Sequence, residues 1–332
     1  MGHATFTPLS IFIPTFNRPD ALLMTVRTIA PQLTATTRLV IIDNCCDTPV
    51  QSMLSDSVLP NREYIQIRRN RANIGGNANI CRCLEEAESE WVWVIGDDDP
   101  IVNSAVADAL TLIGQAADDC LYIGFAHAGI PGGSQVIKSL DRFLALSARG
   151  VGDILFITTG IFRVGTMQRN IHFAHQWAST CAPHLTLLLS HWEEQGGTVL
   201  LVERDLRQVV KRLTTGGQSQ LISFCLALLP HLPMAWARNP HLSTIVAKRF
   251  LNPQALIYES FLEVRRGRQP LRLGIRYYHA TARLKYSGLH WWREEARFAF
   301  YLFRFILYRW AQRMGVVHRP PSEDEKSVVD RR

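Results

Sequence analysis

Three consecutive carboxylates, Asp97-Asp98-Asp99, follow a run of large apolar residues, Trp91-Val92-Trp93-Val94-Ile95, with only Gly96 between them. Like charges this close oppose one another's ionisation unless a cation neutralises them, so a divalent ion held through oxygen is the economical reading. Mn²⁺ or Mg²⁺ sits on one or two carboxylates and completes its shell with phosphate oxygens and water, which points to a phosphate-bearing ligand. An acidic turn hydrated by solvent is the plainer reading of an isolated triplet. Placement at the end of a buried strand favours the metal.

Other polar clusters follow apolar runs in the same way. Leu9–Pro14 leads into Pro14-Thr15-Phe16-Asn17-Arg18, and Leu39-Val40-Ile41-Ile42 leads into Asp43-Asn44. The Asp43 carboxylate, with Asn44 beside it, could accept from ring N–H or hydroxyl groups of a nucleoside; as a turn or capping residue it would need no ligand. Asn73-Ile74-Gly75-Gly76-Asn77 places glycines at a loop-to-helix junction, where backbone N–H groups can hold a polar group of a ligand. Neither a GxGxxG fingerprint nor a GxxxxGK[ST] phosphate loop occurs.

The elements that must position these residues alternate along the chain. Leu9–Pro14, Leu39–Asp43, Tyr64–Ile67, Trp91–Ile95 and Leu121–Phe125 read as strands; Ala21–Ile29, Val50–Ser57, Asn77–Ala87 and Ser104–Ala116 read as helices. This rhythm predicts an α/β fold with a doubly wound, mostly parallel sheet, whose ligands bind beyond the carboxyl ends of the strands. After a turn-rich break at Gly129–Gly133 come a helix near Leu140–Ala148 and an apolar stretch, Ile154–Val164. Next are an amphipathic helix, Pro183–Gln195, with Leu185, Leu188, Leu189 and Trp192 on one face, and a strand, Thr198–Val202. Gly216-Gly217 reads as a boundary. The expected organisation is residues 1–215 as a nucleotide-binding domain, 216–318 as a helical, basic and aromatic region with a buried or interfacial helical hairpin at Leu221–Ala237, and 319–332 as a disordered tail.

In order and spacing, Pro14-Thr15-Phe16-Asn17-Arg18, Ile42-Asp43-Asn44, Asn73-Ile74-Gly75-Gly76-Asn77 and Gly96-Asp97-Asp98-Asp99 resemble the signature of family 2 glycosyltransferases with the GT-A fold. The resemblance covers about residues 9–212 and is strongest up to residue 100. The Trp-rich strand before the aspartates is similar to that of members that build bacterial O-antigen and other surface polysaccharides, including abequosyltransferase-like enzymes. It implies a Rossmann-like nucleotide-binding half, a nucleotide-sugar donor, a divalent metal and inverting sugar transfer. Pro14, Thr15, Asn17 and Arg18 would line the nucleotide pocket, with Asp43 and Asn44 at the base and Asn73, Gly75 and Asn77 nearby. Asp97 and Asp99 would be the spaced pair for ribose and metal, with Asp98 an alternative ligand and Asp99 also a catalytic residue.

The departure lies on the acceptor side. Members of the family carry a Glu-Asp pair at the start of a helix after the central sheet, its Asp acting as base, and this chain has Pro183-His184. His184 is the candidate base: it lies near a helix N-terminus, where the dipole disfavours imidazolium, and off the predicted apolar face. A histidine that caps the helix is the plainer reading. Glu193, Glu194 and Asp205 are rival bases. The implied reaction is one displacement, in which the metal stabilises the leaving nucleoside diphosphate while the base deprotonates the attacking acceptor hydroxyl.

Of 332 residues 47% are hydrophobic, enough for a substantial core. Seven cysteines lack metal-ligand spacing and are expected as reduced, mostly buried thiols. The first residues do not read as a secretory signal, so a cytoplasmic location is expected, on the inner face of the plasma membrane if the protein is peripheral. From Lys248 onward there are 18 Lys and Arg against 8 Asp and Glu, so the net charge of +7 belongs to the C-terminal third. Within it, the aromatic and arginine-rich segment 291–313 suits a helix lying on a membrane, near a saccharide acceptor carried on a lipid diphosphate; packing on the catalytic domain is the bland alternative. A nucleic-acid-binding protein would use the same basic third, but no recognised motif is present and nucleic acid is not an expected partner. A sugar nucleotidyltransferase would show a Gly-rich basic loop after the first strand. A non-catalytic donor-binding relative would lack the base.

Overall fold

The computed structural model describes residues 8–55, 58–125, 129–208, 225–249, 271–272, 275–276, 278–279 and 288–314. The chain divides into two units, Met1–Arg249 and Phe250–Arg332.

In the first unit the strands are β1 (Leu9–Thr15), β2 (Thr37–Asp43), β3 (Ile65–Arg69), β4 (Trp91–Val94), β5 (Cys120–Phe125), β6 (Gln135–Ile137), β7 (Gly160–Phe162) and β8 (Thr198–Val202). They form one sheet in the order β3-β2-β1-β4-β7-β5-β8-β6. The β1/β2, β2/β3, β1/β4 and β5/β8 pairs are parallel, whereas β7 runs antiparallel to both β4 and β5 and β6 antiparallel to β8. Around it lie α1 (Pro19–Ile29), α2 (Val50–Ser55), α3 (Gly76–Glu85), α4 (Ala105–Gln115), α5 (Leu140–Ala148), α6 (Val164–Met167), α7 (His172–Gln176) and α8 (Pro183–Gln195).

The central strands form because they can be buried on both faces: Leu9, Ile11, Phe12 and Ile13 of β1 and every residue of β4 are buried. Each such side chain withdrawn from water stabilises the fold by about 1.5–3 kcal/mol before entropy is set against it. Pro14 sits in a central strand without disrupting a ladder because the pairing of β1 with β4 stops at Phe12 and Val94, before the proline is reached. Beyond that point the two strands are free to part. Since β1 is joined onward to β2 on one side and neighbours β4 on the other, this parting is the switch point of the sheet.

Several expectations need correction. The apolar stretch Ile154–Val164 is a short 3-10 turn, Ile157–Thr159, followed by β7; β6 lies where only a break was expected, and α6 and α7 were not anticipated. The α8 helix is not amphipathic over its first ten residues: Pro183 through Trp192 are all buried, because α3, α5, α6 and α7 pack around it. Several of its polar groups are paired, with Thr186 donating to the Pro183 carbonyl (2.9 Å) and Trp236 Nε1 donating to Ser190 Oγ (3.1 Å). Residues 225–226 are helical and two 3-10 turns, Leu229–His231 and Trp236–Arg238, follow; the start of the expected hairpin, 221–224, lies outside the described residues, as do Gly216-Gly217 and the tail 319–332. The first unit also continues past the expected boundary at 215, since the helix Pro240–Arg249 packs on α5 and Asn239 Nδ2 donates to Asp141 Oδ1 (2.9 Å).

The second unit contains the helix Gly288–Arg313. The Tyr278 ring stacks on Phe298 with centroids 3.8 Å apart, and its hydroxyl donates to the Glu294 carbonyl (3.0 Å). Among the described residues no helix is long and apolar enough to cross a membrane.

Candidate functional site

Where β1 and β4 part, their ends are joined through the first aspartate of the triplet. Thr15 Oγ1 donates to Asp97 Oδ2 (2.8 Å), and Arg18 Nη1 donates to Asp97 Oδ1 (2.5 Å). The other arm of the Arg18 guanidinium reaches Asp98 Oδ2 (2.8 Å), so one fork bridges two carboxylates. Arg18 is held there by its place at the N-cap of α1, with Pro19 opening the helix. Thr25, within α1, donates to the Asp97 carbonyl (2.9 Å). Burial pushes the Asp97 carboxyl up to about 6 despite the opposing pull of Arg18 and Thr15, with Asp98 and Asp99 adding to the rise. The Arg18 guanidinium is correspondingly held more firmly protonated, chiefly by its hydrogen bond to Asp98.

Asp99 turns the other way. Its N–H donates to the Gly96 carbonyl (3.1 Å), closing a tight turn, and its Oδ2 accepts from Thr158 Oγ1 (2.8 Å). Thr158 is fully buried; it also accepts from the Gly96 N–H (3.1 Å), and its carbonyl accepts from Trp93 Nε1 (2.9 Å). A β-carbon at position 96 would lie 2.4 Å from Asp99 Oδ2, so any larger residue there would displace that carboxylate. Asp98 Oδ1 lies 3.5 Å from the same point, so two carboxylates crowd over the Gly96 α-carbon.

Among the described residues no group of three or more His, Cys, Asp or Glu side chains is placed together as a metal site. Both oxygens of Asp97 are engaged by Thr15 and Arg18, which already neutralises part of the cluster. Asp98 and Asp99 present the hard oxygen donors that Mg²⁺ or Mn²⁺ takes when phosphate oxygens and water supply the rest of the shell, and to that extent the residues fit such an ion.

Asp43 is engaged by partners within the fold. Its carboxylate is fully buried and accepts from the N–H groups of Cys46 (2.8 Å) and Val50 (3.1 Å) and from Arg69 Nη1 (2.6 Å). These donors hold its pKa below the ordinary carboxylate value against the opposing effect of burial, so the capping alternative describes it. Asn44 is buried too, in a network of amides that shapes the next loop. Asn70 Nδ2 donates to Asn44 Oδ1 (2.9 Å) and Asn79 Oδ1 (2.8 Å), and Asn44 Nδ2 donates to Asn73 Oδ1 (2.8 Å). Ile74 N–H and Gly75 N–H then donate to Asn44 Oδ1 (3.0 Å) and Asn73 Oδ1 (2.9 Å). Gly75 caps α3 at φ 86°, a conformation that favours glycine, and a β-carbon at Gly75 or Gly76 would meet nothing within 4 Å. The junction is thus rigid behind and open in front. Asn77 Nδ2 donates to Cys181 Sγ (3.1 Å). Asn17, at φ 52°, exchanges two hydrogen bonds with Asp47 (2.9 and 2.8 Å), clipping the loop after β1 to the loop after β2.

His184 is a core histidine. It is 2% exposed, its Nε2 lies 3.2 Å from the Ile154 carbonyl, and its ring meets Phe162 edge-on at 5.7 Å. A carbonyl only accepts, so Nε2 carries the proton and Nδ1 is left buried with no partner among the described residues. Burial lowers its pKa to about 4. The expected neutral imidazole is present, but it is not off the apolar face, and an acceptor hydroxyl has no route to it. Glu193 and Glu194 lie at the far end of α8, about 14 Å along its axis, and Glu194 accepts from Asn170 Nδ2 (2.7 Å). Asp205 is differently placed. The segment bearing it pairs with residues 100–102 through Gln208 N–H to the Pro100 carbonyl (2.8 Å), Val102 N–H to the Leu206 carbonyl (3.0 Å) and a bridge between Ile101 and Arg207. Asp205 itself accepts from Arg207 Nε (3.2 Å).

Thr25, Thr158, Asn70 and Asn79 are contributors that sequence reasoning missed. Phe16 and Ile74 are apolar yet exposed in otherwise polar strand-end runs, a signal that was open to notice.

Residues 10–168, which contain every element of this cluster except Asp205 and the start of α8, match the family model described as glycosyl transferase family 2. Solved structures agree on the fold. The structure of S. aureus TarS 1–349 is 14% identical, with 83% of this chain and 90% of that chain covered and a TM-score of 0.51. The mannosyltransferase PcManGT from Pyrobaculum calidifontis, determined in complex with GDP-Man and Mn²⁺, is 11% identical, with 85% and 88% covered and a TM-score of 0.50. The matched segment lies on a mostly parallel, doubly wound sheet, that of the GT-A fold. No curated protein sequence matches the chain.

Proposed function

We propose that the protein transfers a sugar from a nucleotide-diphosphate sugar to an acceptor hydroxyl, with the donor seated over the carboxyl ends of β1, β3 and β4. The observation that carries this is the joining of Thr15, Arg18 and the Asp97-Asp98-Asp99 turn at the switch point of the sheet. In this reading Asp98 and Asp99 would hold Mn²⁺ or Mg²⁺, which would supply charge for the leaving diphosphate. The α3 N-terminus, open at Gly76, offers backbone N–H groups to polar parts of the donor, and exposed Phe16 offers a flat apolar face to its base. Asp205 replaces His184 as the candidate base, since its segment runs beside the aspartate turn, and inversion by a single displacement is the outcome we expect. The Trp-rich β4 supports a surface-polysaccharide setting such as O-antigen assembly in the cytoplasm, with a hexosyl or deoxyhexosyl donor.

The burial of His184 favours one second reading, a donor-binding relative without transferase activity. Titration calorimetry with UDP-, GDP-, dTDP- and CDP-sugars, with and without Mn²⁺, tests the donor site on wild type and Asp99→Ala. Metal-dependent binding of one nucleotide class that the variant loses is expected. A folded protein that binds none of them under any metal condition overturns the reading, and binding without donor hydrolysis or transfer favours the second one.

A further inference from the structure

The helix Gly288–Arg313 carries an apolar face turned to solvent. Trp292 is 72% exposed, Phe303 and Trp310 are each 60% exposed, and Phe300, Ile306 and Leu307 are exposed with them. At 3.6 residues per turn these six side chains fall within a sector of about 120°. The opposite side of the same helix is the one that Glu294 and Phe298 bury against Tyr278. Among the described residues the apolar sector is thus not the face packed within the second unit.

Its margin is basic. Arg293, Arg297 and Arg304 are all exposed along one edge of the sector, and the Arg304 guanidinium lies 5.8 Å from the centroid of the Phe300 ring, so that its stem follows the apolar surface while its charge points away. Arg297 shares its charge with Glu294 (2.8 Å). The helix's two acids, Glu294 and Glu295, lie off the sector, buried and half-buried. Tryptophan near each end of the sector, aliphatic and phenyl groups between, and arginines on the rim match a headgroup layer over acyl chains. Arg309 lies beyond the opposite edge, so arginines flank the sector on both sides, which a self-associating face of this size would not need.

We propose that this face docks the protein on an anionic lipid surface, the helix lying in the plane of the interface with Trp292, Phe303, Leu307 and Trp310 inserted and Arg293, Arg297 and Arg304 on lipid phosphates. The inference does not depend on the transfer reaction, and its test reads no activity. The full chain is sedimented with vesicles of phosphatidylcholine alone and of phosphatidylcholine mixed with phosphatidylglycerol. Binding to the mixed vesicles is expected, weakened by added salt, lost to background in the Phe303→Ser, Leu307→Ser double variant and reduced on the order of a hundredfold when the three arginines become Gln. Circular dichroism and the sedimentation coefficient confirm that each variant is folded. Equal binding to neutral vesicles, or binding indifferent to both sets of changes, overturns the proposal. So does a concentration-dependent dimer that the double variant dissolves without any vesicle binding by wild type, since the face would then belong to a second copy of this chain.

Discussion

A buried imidazole that cannot leave its neutral form makes the protein sensitive to acid. His184 has a folded-state pKa of about 4, against about 6.5 when solvated. The unfolded chain therefore takes up the proton first. The stability associated with this group is complete above pH 6.5 and is lost as pH falls through that window towards 4, a change of roughly 3 kcal/mol. Urea unfolding at pH 7.5 and pH 4.5 checks it: the stability gap between wild type and His184→Phe is expected to shift by about that amount in favour of the variant at the lower pH. An unchanged gap would place the shift elsewhere. At this scale the sequence announced the aspartates and their strand-end neighbours, because charged residues directly after apolar runs have few reasons to be there. It did not announce what engages them. Thr158 reaches Asp99 from 59 residues away, and Asp43, which looked available, is consumed by two backbone N–H groups and Arg69.

Among the elements, β7 decides how the site is shaped. Gly160 opens it, and a β-carbon there would lie 2.1 Å from the Tyr122 ring of the neighbouring β5. Gly160→Ala is expected to cost about 1–3 kcal/mol by overpacking and, by displacing nearby Thr158 from Asp99, to weaken nucleotide-sugar binding as well. Chemical denaturation and calorimetry on the same variant measure both, and a stability loss with unaltered donor affinity would separate β7 from the site. β1, β2, β4 and β5 were legible within two residues because strands buried on both faces read as unbroken apolar runs. The three-residue strands β6 and β7 carry too short a pattern to be told from turns. The α8 helix misled for a different reason: its His184, Thr186, Ser190 and His191 look like a solvent face, but they are core residues, and all but Thr186 find their partners in distant parts of the chain.

For the whole molecule, the division after Arg249 predicts that a chain ended there unfolds cooperatively, keeps whatever donor binding the full protein has and loses vesicle binding. Thermal denaturation, titration and sedimentation of that truncation test all three; a molten product would show that the second unit is needed for the first. The uneven charge of the sequence pointed to this partition. The position of the break did not show, because the helix Pro240–Arg249 shares the basic, modestly apolar composition of the C-terminal third yet packs on α5.

The insertion of β7 between β4 and β5 also sets an order in time. Parallel strands β1, β2 and β4 are contiguous neighbours early in the chain and can pair as soon as they are made, but β5 cannot join them until β7 has been synthesised and threaded between. A ribosome that has released the aspartate turn has not yet released Thr158, which receives the Gly96 N–H and orients Asp99. Nascent chains ending before β7 would therefore display the acidic residues without their final arrangement, and the ability to grip a donor would arrive late and all at once.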